Sequence, residues 1–405
     1  MGVTIVADDL TGACDTGAVF AGRGAVGVYV RPALPSARWP AAAVDTESRT
    51  LAPEAAAGEA RRAARALGDR VRAGRVFKKI DSTMRGPIGA EIDAWLDAAG
   101  LRGAVICPAL PEQQRTVVGR ELLVGGIPAH ATSVGADPDF PPGTSSDVVR
   151  ILEGQSRRPV RHLPLDLVRG PADALARVLA DGTGGLAVAD AETTADLDAL
   201  ARAALGVHAL LLAGSAGLAR AAAEVLGYAG PAPALPGPGA WLVIAGSQHA
   251  ASRAQIDALL DAGVTAARVD GATPDLAAVV QALSAGRPAI LTTPVEPRGA
   301  DTRGAGPRRA GPPPSDRAAM ADALAAAARA VIPAARPALL CVTGGATAAA
   351  VMRALGASHL ELAGAPARGL ALGALVVPDA SPLPVLTKAG GFGAPDLYLQ
   401  LMSAT

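Results

Sequence analysis

Short apolar runs alternate with longer segments of helical composition along the first part of the chain. The run at 3–7 predicts a buried strand, the segment at 13–21 predicts a helix, and the run at 26–30 predicts a second strand. Elements in this order predict a βαβ unit. The pattern continues with a predicted helix at 55–67 and a strand that ends near Lys79. The alternation therefore predicts the α/β class, with a mainly parallel sheet flanked by helices.

Three predicted strands of the first half lead directly into polar clusters. Asp8 and Asp9 follow the first strand, the segment 79–85 follows another, and the segment 111–116 follows a strand at 104–108. Right-handed crossovers bring the carboxyl ends of parallel strands to one edge of the sheet, where ligands bind in open α/β folds. One of the two aspartates has a simpler explanation as a helix cap, but one cap position takes only one side chain. The coincidence of three clusters therefore predicts a ligand site at this edge.

The second of these clusters is the densest. Lys79 and Arg85 have the charge to bind an anion. Asp81 and Ser82 have oxygen atoms that bind hydroxyl groups. Pro87 suits the first turn of the helix that follows, where a missing N–H costs nothing. Under the alternative explanation, a hydroxyl side chain of the cluster caps this helix and the basic residues are solvated.

Length and composition divide the chain into two predicted domains. At 405 residues it is too long for one ordinary core. The segment 228–240 is rich in proline and glycine and has the composition of a linker. We therefore predict one domain at 1–227 and a second at 241–405. Within the second, the segment 296–316 has no apolar periodicity and is predicted to be a mobile surface insertion.

The second half repeats the α/β pattern, but its strand ends carry small residues instead of charged clusters. Predicted strands at 241–245, 339–343 and 384–387 each lead into a turn rich in glycine or serine. Glycine lets backbone N–H groups approach an anion closely, and the amino end of a helix adds partial positive charge. These turns predict a cradle for nucleotide phosphates, although tight turns with glycine as a spacer would have the same composition. The turn residues are Ser247, Gly344, Gly345, Ala346, Thr347, Lys388, Gly390 and Gly391.

Charge and composition argue against several classes of function. Lys+Arg and Asp+Glu both number 37, so no net field favours nucleic acid or an anionic membrane. Aromatic residues make up 2% of the chain, too few for the stacking platforms that bind single strands. Three cysteines without a CxxC spacing predict neither a disulfide framework nor a zinc site. The first apolar run lacks the features of a signal peptide and no run reaches spanning length, so we expect a cytoplasmic protein.

Five motifs occur in order along the chain, at 7–13, 79–86, 107–111, 214–219 and 388–393. They read ADDLTGA, KIDSTMRG, CPALP, GSAGLA and KAGGFG. Together they resemble the four-carbon acid sugar kinase family, and the resemblance runs nearly from end to end. It implies two α/β domains with the active site in the cleft between them, the first binding a sugar acid and the second ATP. The implied reaction is phosphorylation of the terminal hydroxyl of a tetronate, such as threonate, erythronate or a 2-oxo-tetronate.

The resemblance also implies roles for individual residues. A kinase needs an acceptor for the proton of the attacking hydroxyl, and Asp9 and Asp81 are the candidates for that base or for a clamp on the substrate. Mg²⁺ is expected with ATP, held largely by phosphate oxygens and water, and its protein ligands stay unassigned. The oligomeric state stays open, a homo-oligomer included. The candidates for substrate binding are Asp8, Lys79, Ser82, Arg85 and Arg115.

The departures from the family pattern lie in the nucleotide-binding half. Ala346 stands where the family usually has an acidic residue, and Ala389 follows Lys388 where serine is common. These changes keep two alternatives open. One is a non-catalytic protein that binds a sugar acid beside a decayed nucleotide site, and the other is a kinase of a different small hydroxy acid.

Overall fold

The computed structural model describes residues 2–30, 39–68, 70–71, 75–137, 139–141, 145–181, 184–247, 249–270, 274–294 and 314–403. The chain forms two compact units. The first comprises Met1–Gly24 and Val30–Gly230, and the second comprises Ala25–Tyr29 and Pro231–Thr405. The predicted insertion at 296–316 lies almost entirely outside the described residues.

Strands and helices alternate through most of the described chain. The strands are β1 (Val3–Ala7), β2 (Val26–Val30), β3 (Ala41–Asp45), β4 (Arg75–Lys79), β5 (Gly103–Cys107), β6 (Arg115–Val118), β7 (Glu121–Val124), β8 (Ile127–Pro128), β9 (Val160–Leu163), β10 (Leu186–Ala189), β11 (Leu210–Gly214), β12 (Trp241–Ala245), β13 (Thr265–Arg268), β14 (Ala289–Thr292), β15 (Leu339–Thr343), β16 (His359–Gly364), β17 (Leu370–Val376) and β18 (Leu383–Lys388). The helices are α1 (Leu10–Val19), α2 (Pro53–Leu67), α3 (Ile88–Ala99), α4 (Val148–Glu153), α5 (Leu165–Val168), α6 (Ala172–Asp181), α7 (Thr194–Gly206), α8 (Ala216–Val225), α9 (Ala250–Asp261), α10 (Ala277–Ser284), α11 (Pro314–Ala334), α12 (Gly345–Ala354) and α13 (Leu397–Ser403).

The first unit is organised around a parallel sheet whose described strands follow the order β3, β1, β4, β11, β5, β10, β9. Val3 of β1 pairs with Ala41 on one side and with Arg75 on the other. The chain thus continues to β3 on one side of β1 and to β4 on the other, so the strand order reverses between β1 and β4. In open sheets, ligands bind at the carboxyl ends of the strands where the order reverses in this way. A small antiparallel sheet, β6–β7–β8, extends from the same unit.

The second unit has the same kind of reversal in a mixed sheet. Its parallel part follows the order β13, β14, β12, β15, β18, and the antiparallel strands β17, β16 and β2 continue it. The chain passes from β12 to β13 and β14 on one side and to β15 on the other. The carboxyl ends of β12 and β15 therefore mark the favoured ligand position in this unit. The predicted α/β architecture of two mainly parallel sheets is confirmed.

The βαβ unit predicted at the start of the chain is wrong. Strand β2 forms at 26–30 as predicted, but the neighbours of β1 are β3 and β4. β2 instead pairs antiparallel with β16, with Val28 opposite Leu360. Residues 25–29 therefore belong to the second unit, although the predicted boundary assigned them to the first. The hydrophobic pattern predicts that a segment is a strand, but it carries no information about which partner the strand will find.

Small aliphatic residues fill both cores, as the low aromatic content requires. The strands at the centre of each sheet are buried on both faces, as expected for parallel sheets covered by helices. β3 has the sequence AAAVD, and it was not predicted because alanine favours helices. No helix in the described part of the chain has the length and apolar character needed to cross a membrane.

Candidate functional site

The reversal between β1 and β4 is occupied by two groups of charged side chains. In the first group, Arg49 forms a bidentate pair with Asp8 through Nε and Nη2, both at 2.8 Å, and its Nη2 also donates to Asp9 at 2.6 Å. Arg49 follows β3, so the three residues come from two neighbouring strand ends. Arg49 Nη1 also lies 4.0 Å from Oδ1 of Asp81, which belongs to the second group. A continuous charged network therefore crosses the carboxyl edge of the sheet.

The second group is built around Asp81. Arg85 donates to its two oxygens at 2.9 and 2.8 Å, and Thr83 donates through both its backbone N–H and its hydroxyl. Arg85 also pairs with Asp137 at 3.1 Å. Met84 sits between these residues with φ +62° although it is fully buried, a backbone conformation that is costly for a side chain of this size. The turn after β4 is therefore strained and held in one shape by Asp81.

A buried ion pair stabilises the two loops that carry these charged groups. Lys78 lies 3.1 Å from Glu91 of α3, and Ser48 donates to the same carboxylate oxygen at 2.6 Å. All three side chains are buried. Because Ser48 precedes Arg49 and Lys78 precedes Lys79, this pair fixes the two loops that carry the charged groups.

Two cations at the edge have no carboxylate partner within the described residues. Lys79 is buried and donates to the backbone oxygen of Ile80 at 2.9 Å. Arg115 is partly buried and donates to the hydroxyl of Ser82, while its Nε is buried without a hydrogen-bond partner among the described residues. A cation held away from water without a counterion is costly unless a ligand supplies one. These two side chains are therefore the candidate positions for an anionic ligand.

The alternative explanations of the polar clusters hold for one residue only. Asp9 does cap α1, since its side chain accepts from the backbone N–H of Gly12 at 3.1 Å, and Thr11 donates to its other oxygen at 2.7 Å. The residue before α3 is Pro87, and no side chain caps that helix. The proline thus lies just outside the helix rather than in its first turn. The hydroxyl groups of the second cluster therefore bind Asp81 and Arg115 instead of capping the helix.

The charges at the edge set the protonation of its carboxylates. Burial alone would raise the pKa of Asp8, but the charge and hydrogen bonds of Arg49 outweigh it and lower this pKa. Burial is outweighed in the same way at Asp81, where Arg85 and Arg49 hold the pKa well below its ordinary value. At Asp45, which ends β3, burial raises the pKa well above the ordinary value. The edge thus combines two carboxylates whose charged form is favoured by neighbouring cations with one, Asp45, whose charged form is disfavoured by burial.

Sequence reasoning missed Arg49, Asp45 and Asp137. The first two lie at the end of β3, and their signal was the polar segment after 41–45, which could be read only once that strand was recognised. Asp137 lies in a loop whose pattern gives no structural signal. The predicted site residues of the first half, in contrast, do lie at one edge.

Three turns converge at the strand reversal of the second unit. Ala245 of β12 is in register with Thr343 of β15, which is in register with Lys388 of β18, so the turns after these residues start at one level. A Cβ added to Gly344, whose φ is +101°, would lie 3.6 Å from Ser247. The predicted turn residues of the three strands are therefore brought together.

Close packing against hydroxyl side chains explains two glycines of these turns. A Cβ added to Gly246 would collide with the hydroxyl of Thr347, and one added to Gly390 would collide with that of Ser247. α12 begins after Gly344 with no side-chain cap, so the first N–H groups of this helix have no side-chain acceptor. Ala346 presents only an exposed methyl group in its first turn. The start of α12 therefore offers backbone groups rather than side-chain charges to this candidate site.

Lys388 supports the turn that follows β18. Its ammonium donates to the backbone oxygens of Ala389 and Phe392, both at 3.0 Å. Ser252 of α9 donates to the backbone oxygen of Gly390 at 2.7 Å, and Gln255 donates to that of Phe392 at 2.9 Å. Burial lowers the pKa of Lys388 to about 7. The residue predicted to bind a cofactor therefore also shapes the glycine turn.

A dedicated metal site is not evident in the described part of the chain. Within it, no three His, Cys, Asp or Glu side chains lie where they could hold a metal ion together. His249, which the sequence singled out as a lone histidine in a turn, accepts from the backbone N–H of Ala251 and caps α9.

Comparison with known proteins agrees with a division of the chain into two parts, each with its own candidate site. A family model described as a sugar-binding N-terminal domain matches residues 3–222, and one described as a nucleotide-binding C-terminal domain matches residues 242–398. The D-threonate kinases of Salmonella typhimurium and Bordetella bronchiseptica are 35% and 36% identical to this chain. They match over 97% and 99% of this chain and over 96% and 97% of their own lengths. The 3-oxo-tetronate kinase of Pseudomonas fluorescens is 32% identical over 97% of this chain and 94% of its own length.

The fold itself occurs in a more distant solved structure. A Haemophilus influenzae protein superposes with a TM-score of 0.71 at 20% identity, over 99% of each chain. Two domain matches that together span most of the chain, and relatives aligned nearly from end to end, agree with the motifs that the sequence carries. The chain belongs to the four-carbon acid sugar kinase family.

Proposed function

We propose that this protein transfers the γ-phosphoryl group of ATP to the terminal hydroxyl of a four-carbon sugar acid, with D-threonate as the first acceptor to test. The names of the two most similar relatives described above support this acceptor. The observation that carries the proposal is the pair of buried or partly buried cations, Lys79 and Arg115, that have no carboxylate partner in the described residues. A sugar acid supplies the missing carboxylate and several hydroxyl groups.

Lys79 and Arg115 bind the carboxylate of the acceptor in this proposal. Arg85 is a poorer candidate than its charge suggests, because Asp81 and Asp137 already satisfy it. Its role is to hold the strained turn after β4 in shape. Ser82 then lies beside Arg115 and donates to or accepts from a hydroxyl of the acceptor.

Asp8, Asp9 and Asp81 act as clamps on the acceptor rather than as bases. A base needs a pKa near the operating pH and a carboxylate that is not already paired with a cation. The oxygens of Asp81 are engaged by Arg85 and Thr83, and its pKa is held well below the ordinary value. The oxygens of Asp9 accept from Thr11, Gly12 and Arg49. Carboxylates fixed in this way keep their geometry and accept further hydrogen bonds from substrate hydroxyls.

The glycine and serine turns of the second unit bind the phosphates of ATP. The uncapped amino end of α12, from Gly344 to Thr347, supplies N–H donors and partial positive charge. Ser247 and the turn at 390–391 lie beside it. Mg²⁺, bound through phosphate oxygens and water, would neutralise charge on the transferring group. A backbone cradle does not depend on the side chain at 346, so the alanine there is compatible with nucleotide binding.

The test is release of ADP with Mg-ATP and a panel of acids. The panel comprises D- and L-threonate, D- and L-erythronate, and both 2-oxo- and 3-oxo-tetronate. The Pseudomonas fluorescens relative is named for the 3-oxo acid, and the family resemblance of the motifs implied the 2-oxo acid. Turnover with one member supports the kinase and identifies its acceptor. No turnover with any member, together with a sugar acid that still raises the melting temperature, would contradict the proposal and favour a binding protein.

A further inference from the structure

Asp15 is a buried carboxylate that none of the roles above uses. It lies in the middle of α1 and is 7% exposed. Within the described residues it has no hydrogen bond and no ion pair. A buried carboxylate without a donor is costly, so its presence needs an explanation other than stability.

The position of Asp15 on α1 directs it toward the candidate site. Gly12 precedes it by three residues and therefore lies on the same face of the helix. A Cβ added to Gly12 would lie 3.3 Å from the ammonium nitrogen of Lys79, so this lysine lies against that face. α8 packs against α1 and carries Arg220, which pairs with Glu112. Asp15 thus lies on the face of α1 that Lys79 approaches, on a helix that packs against α8.

The charges that face Asp15 come from four elements. Lys79 of β4 and Arg220 of α8 attract it, while Asp9 at the start of α1 and Glu112 in the turn 111–113 repel it. Burial is the largest influence and raises the pKa of Asp15 above its ordinary value. Neither cation is within ion-pair distance, so both oxygens of Asp15 remain available to a ligand.

We propose that Asp15 is the general base that accepts the proton of the attacking hydroxyl. In this step the hydroxyl oxygen forms a bond to the γ-phosphorus and its proton passes to the Asp15 carboxylate. The bond from the γ-phosphorus to the β,γ-bridging oxygen breaks, and ADP leaves with that electron pair. Lys79 binds the acceptor carboxylate beside the same face of α1, which orients the acceptor toward Asp15. The inference rests on the proposed kinase reaction. It assigns the base to Asp15 because Asp9 and Asp81 are already paired with arginines.

The decisive variant is Asp15→Asn, which keeps the size of the side chain and removes the base. We expect kcat to fall between about a hundredfold and ten-thousandfold, with the KM of the acid little changed. The wild-type kcat should fall as the pH drops through the raised pKa, because the base must be ionised, and the variant should lose this dependence. The matched control is Thr16→Val, since Thr16 is the adjacent buried residue of α1 and its hydroxyl has no partner within the described chain.

A second variant separates chemistry from folding. Asp15→Ala leaves space for a small carboxylate, so added formate should restore part of its turnover, whereas formate should not help Thr16→Val. Asp15→Asn with kcat within about threefold of wild type, or with the pH dependence retained, would overturn the inference while the wild-type kinase stands. A wild type that turns over none of the acids would overturn the kinase proposal and the inference with it.

Discussion

The two strand reversals of this protein differ in the groups that they offer to an anion. The edge between β1 and β4 is crowded with charged side chains that satisfy one another, leaving Lys79 and Arg115 without carboxylates in the described residues. The edge between β12 and β15 has glycine, serine and a helix without a side-chain cap, so it offers mainly backbone N–H groups. A small acid whose stereochemistry matters requires donors and acceptors in fixed positions, whereas a phosphate chain is recognised well by backbone groups.

Among the effects on binding at the two edges, the largest should come from removing one of the two cations that have no carboxylate partner in the described residues. Arg115→Met should raise the KM for the sugar acid by about 30-fold, because losing one partner of a partly buried charge pair costs about 2 kcal/mol or more. Nucleotide affinity, measured by calorimetry, should not change. The same substitution at Arg177, an exposed arginine paired with Asp173, should change neither constant by more than about twofold. An unchanged KM in Arg115→Met would remove this residue from the acid site.

A smaller effect should come from adding one carbon to the backbone cradle. Gly344→Ala forces alanine into a conformation at φ +101° that it rarely adopts, so the turn should shift. We expect nucleotide affinity to fall by about tenfold, the equivalent of about 1.4 kcal/mol, with the KM of the acid unchanged. Gly356→Ala is the control, because Gly356 also has a positive φ, +68°, but ends α12 at its other end with nothing within 4 Å of an added Cβ. Equal nucleotide affinity in the two variants would contradict a cradle at Gly344.

The last expected effect is a pH dependence of nucleotide affinity, caused by a proton that Lys388 takes up when the nucleotide binds. Burial lowers the pKa of Lys388 to about 7, so the ammonium is complete only below that pH. A bound phosphate chain favours the ammonium and raises this pKa again, so nucleotide affinity should fall as the pH rises above about 7, by at most about tenfold per pH unit. Calorimetry at pH 8 in buffers of different ionisation enthalpy measures the proton directly. Lys388→Met should abolish the proton uptake, and the control Lys79→Met should retain it. Proton uptake that persists in Lys388→Met would show that another group takes up the proton.

The sequence predicted the parts of the site that follow directly from a recognisable strand. Asp8 and Asp81 were found because the apolar runs before them end abruptly in polar residues. Arg49 was not found, because the strand before it is made of alanines that read as helix. Asp15 was not found either, since a polar residue inside a helix is ordinary until its burial is known. The partner of β2 depends on residues more than three hundred positions away, which no local pattern encodes.

The membership of β2 in the second unit has a consequence for synthesis and for truncation. A ribosome makes Val28 near the start and Leu360 near the end, so the edge of β2 that pairs with β16 stays open while most of the chain emerges. An open strand edge exposes unpaired backbone N–H and C=O groups, which can pair with another chain and cause aggregation. A fragment cut at Gly230 would keep β2 without β16, and the complementary fragment would end its sheet at β16. The protein is therefore best produced and dissected as one translated chain, with chaperone supply as a determinant of yield.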